Sequence, residues 1–123
     1  MHTVSISIQA DPNQPPIVFT GIPWYAGLTV LQAMIIGQAM NPSMSFRAVY
    51  SSIYGAFIDQ IDSVTDTATE FWLFEVSNNP SMVGVSEAII QEDPTITNVE
   101  IEWAFTTPQP KVSHQAQVAQ KQV

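Results

Sequence analysis

The chain has 123 residues, which suits one domain, and 46 % of them are hydrophobic, as in ordinary globular proteins. Only 11 % are charged. The net charge is −8, because the chain has 11 Asp and Glu residues and only three Lys and Arg residues, which are Arg47, Lys111 and Lys121. Nucleic acids and anionic membranes are bound through basic surfaces, so this composition argues against both partners. No apolar stretch is long enough to span a bilayer, and we expect no membrane insertion.

Cysteine is absent, which excludes disulfides, thiolate nucleophiles and cysteine-based zinc sites. The composition leaves the compartment open. Either Met1 is the native start of a cytoplasmic protein, or the protein is secreted or held at the cell surface and its signal has been removed.

The N-terminal segment predicts two strands. Val4, Ile6 and Ile8 alternate with polar residues, which is the period-two pattern of a strand with one buried face. Polar residues and prolines from 11 to 16 interrupt this pattern, since proline cannot donate to a sheet ladder. Residues 17–20 are the second candidate strand.

A helix is predicted over residues 30–40. Thr29 and Gln32 have the spacing of a capping box, in which each side chain accepts from the backbone N–H of the other residue. Apolar residues follow at helical spacing, and Asn41-Pro42 should end the helix. Gly37 inside it costs about 1 kcal/mol relative to alanine, so we expect a close helix–sheet contact at this position.

The remaining elements are predicted to be strands. Residues 46–61 have the composition of β-structure. The aromatic run 71–76 is apolar on both faces near its start, which is typical of a central strand. Residues 99–105 alternate large apolar side chains with Glu100 and Glu102, and this predicts a strand with its acids directed outward.

This order of elements predicts one β-rich domain, residues 1–106, and a polar tail, residues 107–123, that we expect to be flexible. The predicted fold class is α+β. We expect a β-grasp-like arrangement, in which one helix packs on one face of a mixed or antiparallel sheet, because this buries the apolar faces of both.

Four groups of residues, in this order along the chain, carry a resemblance to a known family: residues 28–34, 54–61, 71–78, and 84–86 taken together with 100–105. The sequence LTVLQAM is similar to the family's TVLDAL helix start, and FWLFEVSN is similar to its YWMYYVNG strand. On these motifs, residues 1–106 resemble the transcobalamin C-terminal-like domain, which also occurs as a bacterial domain of unknown function.

The resemblance implies a compact β-rich domain with one helix. In the cobalamin transporters this domain forms a lid over the vitamin, opposite a larger helical domain. A cobalamin-like ligand and a larger host protein are therefore implied, through the resemblance only. The sequence departs from the family's NG turn, where it has Asn78-Asn79-Pro80.

Catalytic chemistry has few candidates. His2 and His114 lie near the two ends of the chain, and we expect both to be solvated rather than to bind a metal. Without cysteine or a central histidine a nucleophilic triad is not supported, and we predict no catalytic or metal-binding residue. A carboxylate acting as acid or base is the enzymatic alternative, for which Tyr54 with Asp59 is the best pair.

The aromatic residues favour a binding role. Each aromatic side chain buries about 150–250 Å², so we expect a core this small to leave an aromatic patch exposed, as in ligand grooves and interfaces. Our first hypothesis is a non-catalytic binding module for an apolar or amphipathic small molecule in an aromatic-lined groove. Its predicted ligand-binding residues are Trp24, Tyr25, Tyr54, Trp72, Phe74, Asn78 and Asn79.

Two alternatives use the same surface. In one, the protein is a protein-interaction or homo-oligomerisation module, in which the patch or an open edge strand pairs with a second copy or another chain. In the other, it is a small enzyme or biosynthetic accessory protein that shapes a reactive substrate in the same pocket.

Overall fold

The structure is a computed structural model, and it describes residues 2–51, 55–81, 83–91 and 95–107. All of the predicted tail except Thr107 lies outside these residues. The domain boundary at residue 106 and the character of the tail therefore stay predictions.

The described residues form strands and one helix in an α+β arrangement, which confirms the predicted fold class. In chain order the elements are β1 (Thr3–Gln9), β2 (Ile17–Pro23), α1 (Val30–Met40), β3 (Phe46–Ser51), β4 (Gly55–Ile61), β5 (Val64–Thr65), β6 (Phe71–Val76), β7 (Asn79–Pro80) and β8 (Asn98–Thr106).

The larger of two sheets has five strands in the order β2-β1-β8-β6-β7. β1 and β8 pair in parallel, whereas the other neighbours pair antiparallel, so the sheet is mixed. The middle strand is β8. The aromatic run in β6 predicts a central strand. β6 lies between β8 and β7, but β7 is only two residues long and pairs with Glu75 and Val76 at the end of β6.

The two faces of the larger sheet differ in chemistry because side chains alternate along each strand. Ile6 of β1 pairs with Ile101 of β8, and both are fully buried on the face that α1 covers. Ser7 pairs with Glu102 on the opposite face. We call this opposite face the outer face.

The helix begins and ends where the sequence predicts. The Gln32 backbone N–H donates to Thr29 Oγ1 at 3.1 Å, and the Thr29 N–H donates to Gln32 Oε1 at 3.0 Å. These two bonds form the predicted capping box, and Asn41 is the C-cap.

Gly37 makes the close helix–sheet contact that its position predicts. A Cβ at Gly37 would lie 3.2 Å from the Cδ1 methyl groups of both Ile6 and Ile22, and 2.9 Å from the terminal methyl of Met44. The absence of a side chain therefore lets α1 approach β1 and β2.

The smaller sheet consists of β3, β4 and β5 in antiparallel order. It contains residues 46–51 and 55–61 of the segment 46–61 that we predicted as β-structure, and residues 52–54 lie outside the described residues. Ala56, Ile58 and Ile61 of β4 are buried in the same core as the larger sheet. On the solvent side, Arg47 donates to both carboxylate oxygens of Asp59, at 2.9 and 2.8 Å.

Replacing Gly37 by valine is expected to lower the free energy of unfolding by about 1–3 kcal/mol, the usual cost of overpacking a core. Ala39 is exposed on the same helix, so Ala39→Val is a matched control that carries only the lower helix propensity of valine, under about 1 kcal/mol. Urea denaturation measures both changes. Equal destabilisation of the two variants would contradict the close contact.

Candidate ligand site on the outer face

A groove of about 290 Å³ lies on the outer face of the larger sheet. It runs over β1, β8 and β6, and Pro16, just before β2, forms part of its side. Phe74 and Trp103 border its floor. Their rings pack against each other with 4.8 Å between centroids, and the Trp103 indole N–H donates to Met34 Sδ of the helix, which places the rings on the helix side of the sheet.

The strand register divides the groove into a polar and an apolar part. Ser7 of β1, Glu102 of β8 and Glu75 of β6 are direct neighbours across the sheet, and we call them the polar row. Ala104 and Leu73 are cross-strand neighbours one side-chain repeat further along, and we call them the apolar pair. Because each residue adds about 3.3 Å, the polar row and the apolar pair are about 7 Å apart.

Negative charge is concentrated in the polar part. Partial burial raises the pKa of Glu102, and the nearby carboxylates of Glu100 and Glu75 raise it further. The backbone N–H of Asn78 donates to the Glu102 carboxylate and opposes this shift. Among the described residues that line the groove, none is basic.

Ser7 is a buried hydroxyl that lacks a hydrogen-bond partner among the described residues. Its side chain is 9 % exposed and lines the groove. Ser5, two residues earlier on the same face, is also buried, but its Oγ accepts from Asn98 Nδ2 at 3.0 Å. Ser7 therefore has hydrogen-bonding capacity left for a molecule in the groove.

Two of the residues predicted from the sequence lie at this groove. Phe74 borders the floor, and Asn78 reaches the rim through its backbone bond to Glu102. Ser77 and Asn78 have φ values of 50° and 67°, which are typical of a tight hairpin turn between two strands. Asn79 is exposed in β7, directly after this turn.

The other predicted residues lie elsewhere. Trp72 borders a second hollow of about 170 Å³ at the far end of β1, and its indole N–H donates to the Val64 carbonyl at 2.8 Å. The Trp24 indole donates to the Ile90 carbonyl at 2.9 Å, while Tyr25 is 45 % exposed. Tyr54 lies outside the described residues.

The terminal histidine and the acid–base pair differ from a catalytic arrangement. His2 was expected to be solvated, but its ring packs edge-on against Trp24, with 5.7 Å between centroids, and its Nδ1 lies 3.0 Å from the Ile96 carbonyl oxygen. Asp59 forms the ion pair with Arg47 described above. His114 and Tyr54 lie outside the described residues.

Two classes of feature are absent from the part of the chain that the structure describes. Within it, no three or more His, Asp or Glu side chains are grouped so that they could hold a metal ion. Across the same residues, no helix combines the length and the apolar character needed to cross a membrane.

The sequence reasoning missed Ser7, Glu75, Glu100 and Glu102 as site residues. A signal for Ser7, Glu100 and Glu102 exists in the alternation of β1 and β8, where serines and glutamates occupy the positions between apolar residues, and Glu75 occupies the corresponding outward position in β6. This alternation placed each of them on an outward face. The alternation did not indicate that β1 and β8 are neighbouring strands. This pairing brings Ser7 next to Glu102.

Two solved structures share this fold. Haptocorrin in complex with Cbi matches over 85 % of this chain, with a TM-score of 0.61 and 17 % identity, and the chain spans only 25 % of the haptocorrin chain. A protein of Ruminococcus gnavus ATCC 29149, whose proposed role is metal binding, matches over 89 % of this chain and 100 % of its own, with a TM-score of 0.57 and 12 % identity.

At these identities the two likenesses are likenesses of fold. The match to haptocorrin agrees, at that level, with the resemblance that the sequence motifs carry. A scan against protein-family models and a search of curated proteins give no match.

Replacing Glu102 by glutamine is expected to stabilise the protein at pH 7 by about 0.2–1 kcal/mol, the scale of a cross-strand pair. The pKa of Glu102 is raised in the folded state, so folding is penalised as the pH rises through that value. The gain should vanish at acid pH, below the ordinary carboxyl pKa of 4.5, where Glu102 is protonated in both states.

Thermal unfolding at several pH values measures this difference. Glu70→Gln, at an exposed position just before β6, is the control and should change little. A Glu102→Gln variant that is less stable than the wild type at pH 7 would contradict the electrostatic account.

Proposed function

We propose that the protein is a non-catalytic binding module that holds an amphipathic small molecule in the outer-face groove. One observation carries this proposal: the groove joins a polar row to an apolar pair on the surface of a rigid sheet. Ligand sites in proteins are concave, mostly apolar, and supplied with a few well-placed polar groups. The groove has this composition.

The size of the groove bears on the size of the ligand. Its volume of about 290 Å³ is at the lower end of the range of about 300–1,000 Å³ that is typical of small-molecule sites. A compact ligand therefore fits the proposal better than a large one. Haptocorrin was solved with Cbi bound, and its shared fold supports the use of Cbi and of cobalamin as two of the molecules to be tried.

Protein isolated from its own host without denaturation is expected to carry an organic ligand, which native mass spectrometry detects as added mass. Ala104→Trp should abolish this added mass, because the indole would fill the groove over the middle strand. Thr65→Trp adds the same bulk at an exposed position in β5 and should leave the ligand bound.

Two results would contradict this proposal. A wild-type protein that carries no ligand and binds no molecule of an amphipathic panel would contradict the proposed function. Equal ligand occupancy in Ala104→Trp and wild type would contradict its assignment to this groove.

A second candidate function, homo-oligomerisation, is favoured by the edge of the larger sheet. β2 is an edge strand, paired only with β1 among the described strands. Its side chains Ile17 and Val18 are 57 % and 51 % exposed. An open strand with exposed apolar side chains can pair with another copy of the same strand.

If β2 pairs between copies, the wild-type chain should be a dimer by light scattering at micromolar concentration. Ile17→Lys should shift it to a monomer, because a charge would be buried in the new interface. Thr65→Lys, on the exposed β5, is the control and should leave the mass unchanged. A monomeric wild-type protein would contradict this candidate.

A further inference from the structure

The lining of the groove bears on the head group of the ligand that it would hold. We propose that it selects a primary alkylammonium, with the charged nitrogen in the polar row between Ser7 and Glu102 and the apolar chain over Ala104 and Leu73. This inference deepens the proposed function and rests on it.

The charge of the groove decides the sign of the head group. Glu102 has two acidic neighbours: Glu75, which pairs with it on the neighbouring strand, and Glu100, two residues earlier on its own strand. A cation in the polar row would offset the mutual repulsion of these carboxylates, whereas a carboxylate or phosphate would add to it. Because the described lining residues include no basic side chain, nothing there would compensate an anion.

The hydroxyl of Ser7 is an independent indication, and it concerns hydrogen bonding rather than charge. Ser7 as a residue is nine-tenths buried and lines the groove, and its hydroxyl has no partner among the described residues. Ser5 shows that the same strand and face can satisfy a buried serine, since Asn98 donates to it. The free capacity at Ser7 is therefore a property of the groove rather than of serines on this strand.

A primary ammonium group fits both indications at once. It has three N–H donors, and Ser7 and Glu102 are direct neighbours in the parallel ladder, about 4.8 Å apart between strands. One nitrogen can therefore donate to the Ser7 hydroxyl and to the Glu102 carboxylate. A quaternary ammonium has the charge but no N–H to donate.

The apolar chain of the ligand follows from the register. The apolar pair lies about 7 Å from the polar row along the strands, in the direction of Thr106, which also lines the groove. An extended alkyl chain attached to the nitrogen would cover Ala104 and Leu73 from this position. Burial of that chain supplies affinity, and the head group supplies selectivity.

The test is an NMR titration of the full chain with four probes that share an octyl chain: octylamine, octyltrimethylammonium, octanol and octanoate, all as monomers. Octylamine is expected to bind at least about tenfold more tightly than octyltrimethylammonium or octanol, since it alone combines a positive charge with N–H donors. Octanoate is expected to bind most weakly. The amide signals of Glu102, Ala104 and Leu73 should shift.

Two variants and a matched control locate the head group. Ser7→Ala should lower octylamine affinity about five- to tenfold, the scale of one hydrogen bond, and should leave octyltrimethylammonium affinity unchanged, because that probe has no N–H to donate. Glu102→Gln should lower octylamine affinity and raise that of octanoate. Ser5→Ala removes a buried hydroxyl of the same strand and face that already has a partner, so octylamine affinity should not change.

The results of the titration separate the amine preference from the proposed binding function. Octanol or octanoate binding as tightly as octylamine, or an unchanged affinity in Ser7→Ala, would overturn the amine preference and leave the groove a ligand site. Mg²⁺ or Ca²⁺ alone shifting the same signals at lower concentration than octylamine would overturn it in favour of a metal ion. If none of the four probes binds and the host protein also carries no ligand, the proposed function fails as well.

Discussion

The parallel pairing of β1 with β8 is the contact on which the rest of the structure depends. It joins the two ends of the described fold, from the Thr3–Asn98 pair to the Gln9–Ala104 pair. A parallel pair cannot be closed by a tight turn, and the helix and the smaller sheet lie in the long connection between the two strands. A slip of one residue in this ladder would exchange the two faces of β1, which would move Ser7 into the core and Ile6 to the groove.

The three tryptophans connect separate parts of the fold. Each indole N–H donates a hydrogen bond within the fold. Trp24 donates to the Ile90 carbonyl, Trp72 donates to the Val64 carbonyl, and Trp103 donates to Met34 Sδ. A large ring that is buried needs a partner for its N–H. These rings therefore connect loops, the smaller sheet and the helix to the larger sheet. Among the described residues, Tyr25 and Tyr50 are the exposed aromatic residues, at 45 % and 68 % exposure.

Local patterns predicted the parts of the fold that local physics decides. The capping box of Thr29 and Gln32 and the limits of α1 follow from residues within one or two turns of each other. Gly37 indicated a close contact, but not that its partners would include Ile6 and Ile22. The alternation of β1 and β8 gave their buried faces for the same reason. Ser7 could not be recognised in this way, because it reads as an ordinary outward-facing serine. Its role depends on Glu102, which is 95 positions away in the chain and adjacent only through the ladder. The sequence analysis also did not predict that the strands form two sheets. Apolar and polar residues alternate in the same way in the strands of both sheets, so the pattern does not show which strands pair.

The central claim about the outer-face groove is a ligand nitrogen placed between Ser7 and Glu102. A crystal structure of the full chain grown with octylamine tests this most directly. We predict density for the amine in the outer-face groove, with its nitrogen about 3 Å from both Ser7 Oγ and a carboxylate oxygen of Glu102, and with its chain over Ala104 and Leu73. An empty groove at saturating octylamine, or an amine bound at another surface, would contradict the account.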